Sequence, residues 1–186
     1  MEAFIEAVNL NPEWVQPKLS HRKFELRADE NVFASLEFQS AWGSLAIAEC
    51  SEGSWTFKRV GFFTPRVTIR LTNVDVDLAI YRPKWTGTEG ELTFSNGSHF
   101  HWKAANFWAT QYSFIKPDGS PILTFKPGVE DSHISDFFKY QARLEIDLGA
   151  ANLPELPILA LLGWYLMILQ QDDAAGAAAA SASAAS

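Results

Sequence analysis

The feature that most constrains this chain lies near its end. Between Leu156 and Leu169 run 14 residues, all apolar apart from Pro157 and Gly163. The run is too long for one typical strand, and Pro154 and Pro157 stand where a helix would begin. A helix apolar on every side has no face for water, so protein or lipid must surround it. Length decides between the two. At ~1.5 Å per residue the run covers about 21 Å, short of the ~30 Å hydrocarbon core of a bilayer. Glu155 lies just before it and Gln170, Gln171, Asp172 and Asp173 just after. No Lys or Arg follows Arg143, so the basic flank of an anchor is missing. The expectation is a helix over 154–171 buried within its own domain, with no transmembrane span.

The rest of the chain must therefore supply the enclosure, and its pattern is β. From Arg22 onward, apolar residues alternate in short runs: Phe24/Leu26, Leu36/Phe38, Leu45/Ile47, Trp55/Phe57 and Val67/Ile69/Leu71. The alternation is clearest over Asn73–Tyr81, where Val74, Val76, Leu78 and Ile80 are expected to face inward, with Asp75 and Asp77 outward. Further runs fall at Leu92/Phe94, Phe100/Trp102, Trp108–Phe114, Ile122–Phe125 and Tyr140–Ile146. Glu52-Gly53, Gly87, Asn96-Gly97 and Asp118-Gly119 punctuate them with hairpin chemistry. Roughly eleven short, mostly antiparallel strands follow, at the spacing of a barrel or sandwich. Residues 1–21, with Pro12 and Pro17, read as an irregular lead-in. Residues 174–186 are an Ala/Ser-rich tail expected to be disordered, which leaves 22–173 as the domain.

Composition excludes some functions. A net charge of −7, with 15 basic residues and no dense basic run, argues against nucleic acid. A single cysteine, Cys50, cannot form an intramolecular disulfide, and Met1–Leu10 lacks the basic start and apolar stretch of a secretory signal. Together these point to the cytoplasm.

The order of many short strands followed by one wholly apolar helix resembles the tubby C-terminal-like superfamily, which includes LURP-one-related proteins and phospholipid scramblases. The phrases carrying the resemblance are DGSPILTFKP (Asp118–Pro127) and LPILALLGWYLMILQQDD (Leu156–Asp173), within about residues 22–173. It implies a closed antiparallel barrel of about 12 strands around a central helix. It also implies a non-enzymatic module that binds a phospholipid headgroup or a protein partner through surface loops.

The headgroup candidates are Lys58, Arg59, Arg66 and Arg70, in the phrase FKRVGFFTPRVTIR. Arginine suits bidentate contact with phosphate, and Arg66 and Arg70 share one strand face. Phe62 and Phe63 in the adjoining turn are the membrane-insertion candidates. The alternative for these residues is an ordinary solvated strand face with phenylalanines capping the barrel.

The other constellations favour plainer roles. His99 and His101 share a strand face, but a metal site needs further ligands, and His21 and His133 are distant in sequence. Asp75/Asp77 and Glu145/Asp147 read as wet strand faces, and Cys50 falls on a small-residue face with Ala46 and Ala48. Trp85, Trp102, Trp108 and Tyr112 could line a ligand cavity but read better as core and rim packing. No Gly-rich phosphate loop, nucleophile elbow or zinc-protease motif occurs, and no cofactor is expected. Three rivals remain: a lipocalin-like carrier with its helix outside the barrel, a tail-anchored membrane protein, and an enzyme using the His99/His101 face.

Overall fold

The computed structural model describes residues 1–127 and 141–184. Twelve strands form one closed antiparallel barrel, each paired with its neighbours in sequence. They are β1 (Glu13–Val15), β2 (Lys23–Ala28), β3 (Asn31–Phe38), β4 (Ala46–Cys50), β5 (Gly53–Val60) and β6 (Arg66–Leu71). The second half comprises β7 (Ala79–Pro83), β8 (Gly90–Phe94), β9 (His99–Ala104), β10 (Tyr112–Ile115), β11 (Pro121–Pro127) and β12 (Ala142–Ile146). Closure comes from β1, which pairs with β2 through Trp14↔Leu26 and with β12 through Trp14↔Ala142.

The barrel therefore begins at Glu13, inside the segment expected to be an irregular lead-in. A strand of three residues, with Pro12 before it and Pro17 after it, is too short for alternation to show. Before it, the single-turn helix α1 (Phe4–Ala7) buries Phe4 and Ala7.

Helix α2 (Leu156–Ala184) threads the barrel. From Leu156 to Leu169 its residues are buried, except for the half-buried Pro157 and Met167. The rings around it come from strands all round the wall. Trp164 stacks on Trp14 of β1 at 5.6 Å and meets Phe24 of β2 edge-on at 5.7 Å. Tyr165 stacks on Phe38 of β3 and meets Phe57 of β5, both at 5.5 Å. Opposite, Gly163 lets the helix backbone approach Phe125 of β11 and Trp102 of β9. A helix so surrounded has no use for a polar stripe, and its place inside removes the lipocalin-like arrangement. No helix among the described residues is long and apolar enough to cross a membrane.

The expectation of a disordered tail from residue 174 is corrected by α2, which continues to Ala184 with residues 174–183 exposed. Alanine has the highest helix propensity, and the barrel-held part supplies the nucleus whose formation is otherwise the unfavourable step.

A second correction concerns Asn73–Tyr81. Residues 72–78 form the β6–β7 connection, and β7 starts only at Ala79. Val74 and Val76 are exposed, while Ala79 and Tyr81 face the core, the opposite phase to the expected one. Asn73 turns the chain with φ of 64°. Asp77 then accepts a hydrogen bond from Arg70 Nε at 2.6 Å, and Asp75 one from its Nη1 at 3.4 Å. Alternation in this stretch comes from two acids clamping a turn. The stretch Trp108–Phe114 is likewise shortened to Tyr112–Ile115, and Tyr140 lies outside the described residues.

An up-and-down barrel has two distinct ends. Odd-to-even connections, such as β3–β4 and β5–β6, gather at one end, and even-to-odd connections at the other. The even-to-odd end carries Asp29, Glu30, Glu52, Asp75, Asp77 and Asp118. It also receives α1, whose Phe4 N–H donates to Glu52 Oε1 at 2.9 Å. Helix α2 enters here, after a 3₁₀ turn at Leu148–Ala150 whose Gly149 N–H is capped by Asp147. It leaves at the odd-to-even end.

Candidate functional site

The exit of α2 is held by polar contacts. Tyr165 donates its hydroxyl to the Ser44 carbonyl at 2.6 Å, and Gln170 Nε2 donates to the Gly87 carbonyl at 3.0 Å. Arg22 pairs with Asp172, and Arg59 with Asp173 at 2.7 Å. The hydrogen bond to Asp173 raises the Arg59 pKa further, against partial burial.

Beside this exit lies a cleft of about 810 Å³. Leu166, Leu169, Gln170 and Asp173 of α2 form one wall; Phe63, Thr64, Pro65 and Arg66 from the β5–β6 hairpin line another. Strand β7 and the hairpin after it add Arg82, Lys84, Trp85 and Gly87. Four cations thus border it: Arg59, Arg66, Arg82 and Lys84. Arg59 is committed to Asp173, and Lys84 pairs with Glu89 at 3.2 Å across exposed side chains, a contact of little strength. Arg66 and Arg82 have no ion pair among the described residues, and both are exposed.

The sequence-expected residues divide accordingly. Arg59 and Arg66 border the cleft, together with Phe63. Arg59 sits opposite Val67 in the ladder, on the inward-facing register, which explains how it reaches the helix. Lys58 lies outward opposite Thr68, away from the cleft lining. Arg70 lies farther along β6 and is engaged by Asp77 and Asp75. Arg82 and Lys84 carried no signal in the sequence, because only the pairing of β6 with β7 brings them beside Arg66; Trp85, named among the possible cavity residues, does border the cleft.

The tryptophan set also divides. Trp102 and Tyr112 stack in the core at 5.3 Å, as expected, whereas Trp85 and Trp108 stand in solvent on hairpin tips.

The remaining candidates stay plain. The His99 and His101 rings are 6.1 Å apart, and no group of three metal-binding side chains gathers among the described residues; His133 lies outside them. Cys50 is buried, and burial together with a hydrogen bond to Glu52 pushes its thiol up to about 12, far from a neutral-pH nucleophile. Burial disfavours charge on Glu52, but hydrogen bonds from Cys50, Ser51 and the Phe4 N–H outweigh it and hold its pKa low.

The fold and cleft together define a helix-threaded antiparallel barrel with a cationic recess where its helix emerges. No family model, curated protein or solved structure matches the chain.

Proposed function

We propose that the chain is a non-enzymatic binding module whose cleft takes the phosphorylated headgroup of a phospholipid, in keeping with the tubby-like resemblance of its element order. The observation that carries this reading is the pair Arg66 and Arg82. Both are guanidinium groups without an ion pair among the described residues, bordering one recess, Arg66 at the start of β6 and Arg82 near the end of the antiparallel β7, at the same barrel end. Guanidinium forks bind phosphate bidentately and remain charged at every physiological pH. Lys84 adds a charge whose exposed partner, Glu89, competes only weakly. The apolar wall of Leu166 and Leu169 gives the glycerol side of such a ligand a surface to lie on.

The test is calorimetric titration of the full chain with glycerol 3-phosphate and with a short-chain phosphatidylinositol phosphate. Binding is expected, stronger for the multiply phosphorylated ligand. Arg66→Gln with Arg82→Gln should weaken it by about tenfold or more, since hydrogen bonds to charged groups are the strong ones. Unchanged affinity in that variant, at unchanged thermal stability, would remove the cleft from the reading.

A further inference from the structure

The described aromatic residues fall into two groups with nothing between. Most are buried in the barrel; the other six, Trp42, Phe62, Phe63, Trp85, Phe107 and Trp108, are 79% to 100% exposed. All six lie on odd-to-even connections. Trp42 is on β3–β4, Phe62 and Phe63 on β5–β6, Trp85 on β7–β8, and Phe107 and Trp108 on β9–β10. Four successive hairpins therefore carry large rings into water at one end of the barrel, the end where α2 leaves. From this we infer that the end docks on a phospholipid bilayer of net negative charge, with these rings seated among the headgroups and upper acyl chains.

Three observations choose a bilayer over a folded partner. The rings stand on separate tips arranged around the barrel mouth, each almost wholly in solvent. A protein hot spot would gather its anchors into one packed patch, whereas a planar apolar phase rewards several separate points of entry. Tryptophan and phenylalanine also suit that depth, because their rings are favoured at membrane interfaces and on the inserted face of interfacial elements.

Charge agrees. Lys18, Lys58, Arg66 and Arg82, without an ion pair among the described residues, lie in or just behind the odd-to-even connections, where anionic headgroups would meet them. Within the connections and the emerging helix, the acids among the described residues are Glu89, Asp172 and Asp173, paired with Lys84, Arg22 and Arg59 respectively. Just behind the connections, Glu91 lies 4.0 Å from His101, and Glu37 has no ion pair among the described residues. Acids of the opposite end that have no ion pair among the described residues, such as Asp29 and Glu30, would face away from the membrane. The distal part of α2, from Ala174 onward, adds no charge on its way out of this end. The inference shares a phospholipid with the headgroup reading but stands on different residues, Trp42, Phe107 and Trp108 being outside the cleft.

The experiment is flotation of the full chain with phosphatidylcholine vesicles containing phosphatidylserine, alongside tryptophan quenching by brominated acyl chains. Wild type should float with the anionic vesicles, and the brominated lipid should quench fluorescence from Trp42, Trp85 and Trp108. The variant Trp42→Ser/Phe107→Ser/Trp108→Ser removes three rings without touching the cleft and should weaken vesicle binding by about tenfold or more. A control at the opposite end, Val76→Ser with Leu148→Ser, should bind as wild type. Binding unchanged in the three-ring variant, or no quenching on bound vesicles, would overturn the inference. So would a lipid-independent dimer that the same substitutions abolish, because the rings would then face a second copy. Failure of the headgroup reading looks different: Arg66→Gln with Arg82→Gln would leave glycerol phosphate affinity unchanged while quenching by brominated lipid persists.

Discussion

Two glycines of one helix offer a direct test of where that helix lies. A Cβ added at Gly163 would sit 2.3 Å from Phe125 Cε2, 2.5 Å from its Cζ and 3.1 Å from Trp102 Cζ3. At Gly176 the same atom would meet nothing within 4 Å. In an exposed helix, Gly→Ala stabilises by about 1 kcal/mol through backbone entropy. At Gly163 that gain competes with overpacking, which costs about 1–3 kcal/mol in a filled core. Phe125 has little room to yield, being fully buried with its ring against Trp102 at 5.7 Å. With the overpacking cost thus in the upper part of that range, about 2–3 kcal/mol, the expected net effect of Gly163→Ala is a loss of about 1–2 kcal/mol. In a chain of this size that lowers the melting temperature by about 2–8 °C. Gly176→Ala should show no loss, and any change should be a gain in helical signal. Thermal and urea unfolding followed by circular dichroism separate the two. A cycle with Phe125→Leu should recover part of the Gly163→Ala penalty, because the smaller side chain opens the space that the methyl needs. If Gly163→Ala stabilised the protein as much as Gly176→Ala, Gly163 would have to be solvent-facing, and the helix would not thread the barrel.

Asp173→Asn frees Arg59 from its pair at the cleft. The pair is partly exposed, so stability should change by less than ~1 kcal/mol, while titration should show glycerol phosphate bound more tightly; unchanged or weaker binding would mean that Arg59 does not reach the ligand. Alkaline pH should destabilise the fold, because burial raises the pKa of Tyr81 and Tyr165 and lifts the Cys50 thiol to about 12. A group whose folded pKa is raised gives stability that is complete below its unfolded pKa, near 8.5 for cysteine, and is lost as pH climbs toward the folded value. Urea midpoints should therefore hold steady below about pH 8.5 and fall above it. Iodoacetamide should alkylate native Cys50 far more slowly than the unfolded chain, and equal rates would refute the buried thiol.

The many short strands and the buried helix were legible because both periodicities reported burial directly, whereas closure into a barrel was implied by the resemblance, since strand spacing left barrel or sandwich open. An all-round apolar helix states that every side is covered, and alternation such as Trp55/Phe57 states that one strand face is. Where burial was not the cause of the pattern, reading failed. Val74, Asp75, Val76 and Asp77 alternate as a strand would, yet the two carboxylates are there to hold Arg70, and the valines remain in water. Strand β1 escaped because three residues carry no period, although Trp14 is among the largest fully buried side chains. The cleft was half visible. Arg59 and Arg66 lie in one hairpin, but Arg82 and Lys84 become their neighbours through strand pairing, which local pattern does not encode.

The aromatic end is a different case, since the information was in the sequence and needed counting to extract it. In a barrel of consecutive antiparallel strands, the parity of a connection fixes its end. Once strands were assigned, Trp42, Phe62, Phe63, Trp85, Phe107 and Trp108 all stood between an odd strand and the following even one. Missing β1 shifts every number by one but changes no relative parity, so five of the six would still have sorted together, and Trp108 joins them once the run Trp108–Phe114 is shortened to Tyr112–Ile115. Reading Asn73–Tyr81 as a longer strand leaves the count intact as well. What hid the pattern was judging each aromatic by the strand nearest it, so that Trp85 and Trp108 were treated as core or rim alongside Trp102 and Tyr112. Alternation separates inside from outside along a strand, and connection parity separates one end from the other. A ring in a short hairpin belongs to the second coordinate. Rings that share an end while lacking a partner in the core mark where such a barrel meets its surroundings.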